Sequence, residues 1–179
     1  MHTCDYIYVR LLMEFKRECA HKTMTFEDIR ACIDADRTDV LGRSEVEQNR
    51  YIDAMASIRE KYATISDYVL SSKFGFIEVA RKGDGKLEAC PPNENYKQTI
   101  LSVNDFPYNF TADVKSYILW KHGKGDVTIT QDEIETAMED IKMQLGTENY
   151  LESLCFESAP HLKSVPDLAH VHLLVQMRI

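Results

Sequence analysis

Through the first seventy residues the apolar positions recur at helical spacing, and beyond Phe74 they alternate in the manner of strands. Tyr6 to about Ala20 reads as an amphipathic helix, interrupted by Arg10 and followed by a charged stretch at Glu14, Lys16, Arg17 and Glu18. Thr25 is an N-cap for a second helix, with Asp28 three positions on and Phe26, Ile29 and Ile33 marking one face. Ser44, with Glu47 closing a capping box, opens a third that carries Tyr51, Ile52, Met55 and Ile58. Lys73 to Ala80 then predicts a strand, Arg81 to Asn95 a polar loop, and Tyr96 to Val103 and Val114 to Lys121 two further strands. Thr130 and Glu133 form a capping box for a helix with Ile134, Ala137, Met138, Ile141 and Leu145 on one face and Gly146 as its stop. Leu151 to Phe156 and Ala169 to Met177 complete the strands. The fold class is therefore α+β, one domain over 1–179, with a helical part (1–72) packed on a mainly antiparallel sheet (73–179).

The last strand holds the residues of most chemical interest. Alternation sends Val171, Leu173, Val175 and Met177 to one face, and His170, His172, Leu174, Gln176 and Arg178 to the other. The two imidazoles thus share a face, about 7 Å apart, away from the apolar side. Such a pair can serve as a nucleophile with its neighbour, as two metal ligands, or as plain polar surface. Ahead of the strand, Ser158-Ala-Pro-His161-Leu-Lys-Ser164-Val-Pro166 can supply donors to an anion or simply form a turn. Asn104-Asp-Phe-Pro-Tyr-Asn109 puts aromatic and amide side chains at a strand end, where they can hold a base or sugar or pack as a turn.

Composition narrows the functional classes. A hydrophobic fraction of 44% and a charged fraction of 28% in 179 residues fit a globular protein that folds on its own core. No window reaches the roughly 20 apolar residues of a membrane span, so no membrane partner is expected. A formal charge of −8 disfavours nucleic acid as a partner, whereas a small phosphate bound by backbone donors and a few side chains is compatible with it. Five cysteines without a Cys-x-x-Cys pair point to reduced thiols in the cytoplasm, with the nucleus equally compatible, and to no disulfide framework or zinc ribbon. Phosphate-loop, dinucleotide, nucleophile-elbow and His-Glu-x-x-His motifs are absent, and no cofactor is called for.

Several short stretches resemble one family in order and spacing: Met24-Thr-Phe-Glu-Asp, Arg43-Ser44 with Tyr51, Lys61-Tyr-Ala-Thr with Asp67-Tyr-Val-Leu, Asn104-Asp-Phe-Pro-Tyr, Tyr117-Ile-Leu-Trp-Lys121, and Ser164-Val-Pro with His170-Val-His172. They resemble an uncharacterised eukaryotic family that includes fungal N-acetylglucosamine-induced proteins and proteins of large DNA viruses. Asn104 to Arg178 is more distantly similar to the histidine-triad (HIT-like) nucleotide hydrolases and transferases, in which the middle histidine of His-x-His-x-His attacks an α-phosphate. The departure is that Leu168 or Leu174 stands where a third histidine belongs. The resemblance implies a HIT-like C-terminal half binding a nucleotide, sugar phosphate or other phosphorylated metabolite, with phosphoesterase or nucleotidyl-transfer chemistry. His170 would be the nucleophile and His172 its assistant, Ser164 a phosphate contact, and Asn104, Tyr108, Asn109 and Trp120 the substrate side. Two alternatives stand beside it: a non-enzymatic interaction or regulatory protein, with a protein partner, that keeps the fold without catalysis, and a metal site drawing His122 or His161 to His170 and His172.

Overall fold

The computed structural model describes residues 19–179 except Glu94 and Asp126, so the helix expected from Tyr6 lies outside the described residues over 1–18. Each described α-helix starts where a side chain satisfies an otherwise unpaired backbone N–H. In α1 (Phe26–Asp34) the Asp28 amide donates to the Thr25 hydroxyl and the Thr25 amide to the Asp28 carboxylate, a complete capping box. Ser44 likewise caps α2 (Glu45–Lys61) by accepting from the Glu47 amide at 3.3 Å. Its expected box does not close, because the Glu47 carboxylate is taken by Arg50 one turn on. Thr64 caps α3 (Ile65–Phe74), which ends on Gly75 at φ 69°, a left-handed conformation that glycine adopts without a Cβ clash.

That helix corrects the strand expected from Lys73. Lys73 and Phe74 are helical, and the strand begins past the glycine, with β1 (Ile77–Ala80) pairing antiparallel to β2 (Leu87–Cys90). β2 in turn lies inside the stretch expected to be a polar loop. Its four residues are too few to show a period, and it is fixed by its partners: the β1 ladder and a bond from the Ala63 amide to the Leu87 carbonyl at 2.8 Å.

The other strands, β3 (Lys97–Val103), β4 (Val114–Gly123), β5 (Tyr150–Phe156) and β6 (Ala169–Met177), form one antiparallel sheet in the order β3-β4-β6-β5. The α+β class is thus realised among the described residues as four α-helices and six strands in two antiparallel sheets. α4 (Gln131–Leu145), with the Thr130 and Glu133 capping box in place, lies across one sheet face and packs Ala137 and Ile141 on Tyr117, Leu119, Val171, Leu173 and Val175.

The opposite face is equally dry. There Phe26, Ile29 and Leu41 meet Tyr108, Phe156 and Leu174, while Val69, Leu70, Val165 and Leu168 surround Trp120. His170 and His172 are each only 6% exposed, and Leu174 is fully buried, so the histidine face is not a polar outer surface as alternation alone suggested. β6 lies between β4 and β5 and beneath the helical half, and a strand covered on both faces loses the solvent side that alternation reports.

Ile141, with no exposed area, sits at the centre of the α4 layer. Ile141→Ala is expected to lower stability by about 2–5 kcal/mol through the cavity it leaves. Urea unfolding at constant m-value measures this, and a change under about 0.5 kcal/mol means the helix does not pack as described.

Candidate functional site

The site is assembled by strand register. In the β4–β6 ladder Trp120 stands opposite His170 and Ile118 opposite His172, and from the other side Phe156 of β5 stands opposite His172. The Trp120 and His170 ring centroids are 4.8 Å apart, and the Trp120 indole N–H donates to the Ser102 hydroxyl at 3.1 Å. His172 stacks almost parallel on Phe156, with centroids 4.7 Å apart and planes at 9°, and Tyr108 lies 5.6 Å away. The two imidazoles meet edge to face at 6.0 Å.

Backbone geometry fixes the tautomer of His170. Its Nδ1 lies 2.8 Å from the Leu168 carbonyl oxygen, which can only accept, so Nδ1 carries the proton. In the neutral ring Nε2 then holds a lone pair. Burial lowers the His170 pKa below the ordinary value of 6.5; the Leu168 bond opposes this, Lys163 adds to it and Glu157 opposes it. His170 is therefore the neutral, basic form at physiological pH. His172 presents Nε2 to the Ser158 hydroxyl at 3.4 Å.

Both imidazoles line a cavity of about 90 Å³ between the sheet and the helical half. Of the side chains nominated from sequence, His170, His172, Ser164, Asn104, Tyr108 and Trp120 line it. Asn109 does not: its amide donates to the Ala20 carbonyl at 3.2 Å and its oxygen accepts from Thr23, tying the turn to the start of the described chain. Asn104 is also committed locally, its oxygen accepting from the Phe106 amide and its nitrogen donating to Ser116, as a turn-forming asparagine does.

Arg43 and Lys73 also line it and were not nominated from sequence, while Ser158 and Lys163 come from the segment expected to supply donors to an anion. The Arg43 guanidinium lies 4.0 Å from the Tyr51 ring centroid and 5.4 Å from that of Tyr108, and donates to the Phe106 carbonyl at 3.0 Å. Lys73 pairs with Asp105 at 2.7 Å, and Lys163 with Glu157. Burial raises the Tyr51 phenol pKa, opposed by Arg43 and by a hydrogen bond with Ser164. Arg43 was visible in sequence only as a residue of one quoted stretch, and nothing in its spacing marks it as lining a cavity.

The arrangement suits a small anion. Three cationic side chains and a neutral imidazole border a partly open space walled by aromatic and aliphatic side chains, where a dielectric below that of water strengthens each charged contact. The metal reading gains no third ligand. His122 is half-buried among Phe74, Phe76 and Tyr96, His161 is exposed, and among the described residues no group of three His, Cys, Asp or Glu side chains converges. The thiols of Cys19, Cys32, Cys90 and Cys155 are all free, and burial raises the Cys155 pKa to about 11, which keeps it unreactive. No described helix is long and apolar enough to cross a membrane.

A family model described as "Protein of unknown function (DUF3605)" matches residues 25–176, which contain every residue of the site. No curated protein matches the chain. A solved structure described as "Crystal Structure of HTC1" is similar in fold, at 19% sequence identity and a TM-score of 0.53, over 86% of this chain and 85% of that one.

Proposed function

We propose, from the premise that the chain belongs to the DUF3605 family and that this family's description assigns no activity, that the cavity binds a small phosphorylated metabolite or nucleotide through its phosphate, with His170 as the reacting group. The observation that carries this reading is the buried neutral imidazole of His170, its Nδ1 fixed by the Leu168 carbonyl, in one cavity with Arg43, Lys73 and Lys163. A phosphate needs charge-assisted donors, and phosphoryl attack needs an unprotonated nitrogen held in one orientation. Trp120, Tyr51 and Tyr108 line the space that a base or sugar would enter. The resemblance of Asn104 to Arg178 to histidine-triad proteins points the same way.

A second reading, phosphate binding or partner recognition without turnover, is favoured by one specific feature. Leu168 and Leu174, the positions of a third histidine, are 3% and 0% exposed and packed into hydrophobic clusters, so neither contributes a polar group to the reaction. The two readings part at turnover and share the binding step.

Calorimetry against mononucleotides and sugar phosphates tests that shared step. Lys163→Met, which removes one charge from a side chain 16% exposed, is expected to weaken binding by about 10- to 100-fold, the worth of one charge-assisted bond. No heat at millimolar ligand removes the phosphate reading altogether.

A further inference from the structure

His170 and Lys163 border two cavities. The second, about 430 Å³, is a groove lined by Thr128, Ile129, Glu157, Asp167 and Ala169, and these two side chains are its only ones in common with the aromatic chamber. The two spaces differ in chemistry. The chamber has Arg43, Lys73 and Lys163 against the single carboxylate of Asp105, and its walls are aromatic. The groove has Glu157 and Asp167 against Lys163 alone.

Resting on the phosphate reading above, we infer that the ligand is a phosphodiester whose phosphate sits at the His170 and Lys163 junction, with an aromatic arm in the chamber and a hydroxyl- or amine-bearing arm in the groove. An anionic second arm is rejected by Glu157 and Asp167. An amine-bearing arm gains twice: it replaces Lys163 as the partner of Glu157, and it releases the Lys163 ammonium to the phosphate. A monoester leaves the groove unfilled and must draw Lys163 from Glu157 without compensation.

Three ligands discriminate, each titrated by calorimetry into the full chain: adenosine 5′-monophosphate, its 2-aminoethyl diester and its 2-carboxyethyl diester. The expected order is aminoethyl tightest and carboxyethyl weakest, separated by about tenfold or more, the effect of one ion pair gained against one like-charge contact. In a Glu157→Gln, Asp167→Asn double variant, altered only at solvent-facing groove carboxylates, the difference should collapse to about twofold. Equal affinities of all three ligands for the native chain overturn this inference and leave the phosphate reading standing. Binding of none of the three overturns both.

Discussion

Glu133→Gln is expected to destabilise the protein by about 3–5 kcal/mol, more than any other single polar change on the α4 face of the sheet. Lys121 is 3% exposed, and its ammonium is held by the Glu133 carboxylate and the Thr128 carbonyl, each at 2.7 Å. The same carboxylate accepts from the Thr130 amide at 2.8 Å, closing the α4 cap, and from Thr99 of β3 at 2.9 Å. Removing the negative charge leaves an ammonium in a place where it cannot be hydrated, and that desolvation is the larger part of the loss. Lys121→Met should cost less, because Glu133 is 28% exposed at its side chain and keeps the Thr130 and Thr99 bonds. In the double variant part of the Glu133→Gln loss should return, since no charge is then stranded.

The same residue sets an acid limb. Burial works against the Glu133 charge, but the bonds from Lys121, Thr130 and Thr99 outweigh it and lower the pKa from 4.5 to about 2. Its folded value lies below its unfolded one, so its contribution is present in full above pH 4.5 and is lost as pH falls from there toward 2. The amount is about 2–3 kcal/mol after allowing for partial exposure. Urea midpoints at pH 6 and pH 3, compared between the native chain and Lys121→Met, isolate it. An equal pH dependence in both would show that Lys121 does not hold the carboxylate ionised.

α4 and β6 were legible because each carries its own signal. A capping box, a four-turn apolar stripe and a glycine stop define the helix, and nine alternating residues define the strand. β1 was expected with its start too early, because the helix before it runs to Phe74 and stops on Gly75. β2 was not legible, because a four-residue strand holds no period and its pairing is decided by β1 and by contact with the helical half. Six of the seven nominated site residues lie together because the turn holding Asn104 and Tyr108 leads into β4, the loop holding Ser164 leads into β6, and these two strands pair. The cations arrive from α3, from the turn before α2 and from the loop before β6, and their convergence is a tertiary fact. The burial of the histidine face has the same origin. It follows from which elements cover β6, and alternation within one strand reports only that two faces exist.

That burial changes the variant by which catalysis is best tested. His170 packs against Trp120 and bonds Leu168, so truncation to alanine opens a void in the sheet and confounds loss of fold with loss of function. His170→Asn retains a planar polar group that can still donate to the Leu168 carbonyl, but it has no basic nitrogen with which to attack phosphorus. On any phosphorylated substrate that the native chain turns over, this variant is expected to lose at least about 10³-fold in kcat, as removal of a nucleophile does. Its melting temperature should stay within a few degrees of native, about what a 1 kcal/mol change gives in a chain of this size. His172→Asn should lose less, because a group 6.0 Å from His170, stacked on Phe156 and bonded to Ser158, positions charge and cannot substitute for the nucleophile. The pH profile provides an independent readout. Since His170 is neutral to below the ordinary imidazole value of 6.5, kcat should hold constant as pH falls through 6.5 and decline only under it. A His170→Asn chain that turns over substrate at the native rate assigns the chemistry to another group. A native chain that binds phosphate esters and turns none of them over, with His170→Asn binding them equally, makes the cavity a recognition site in which His170 has no part.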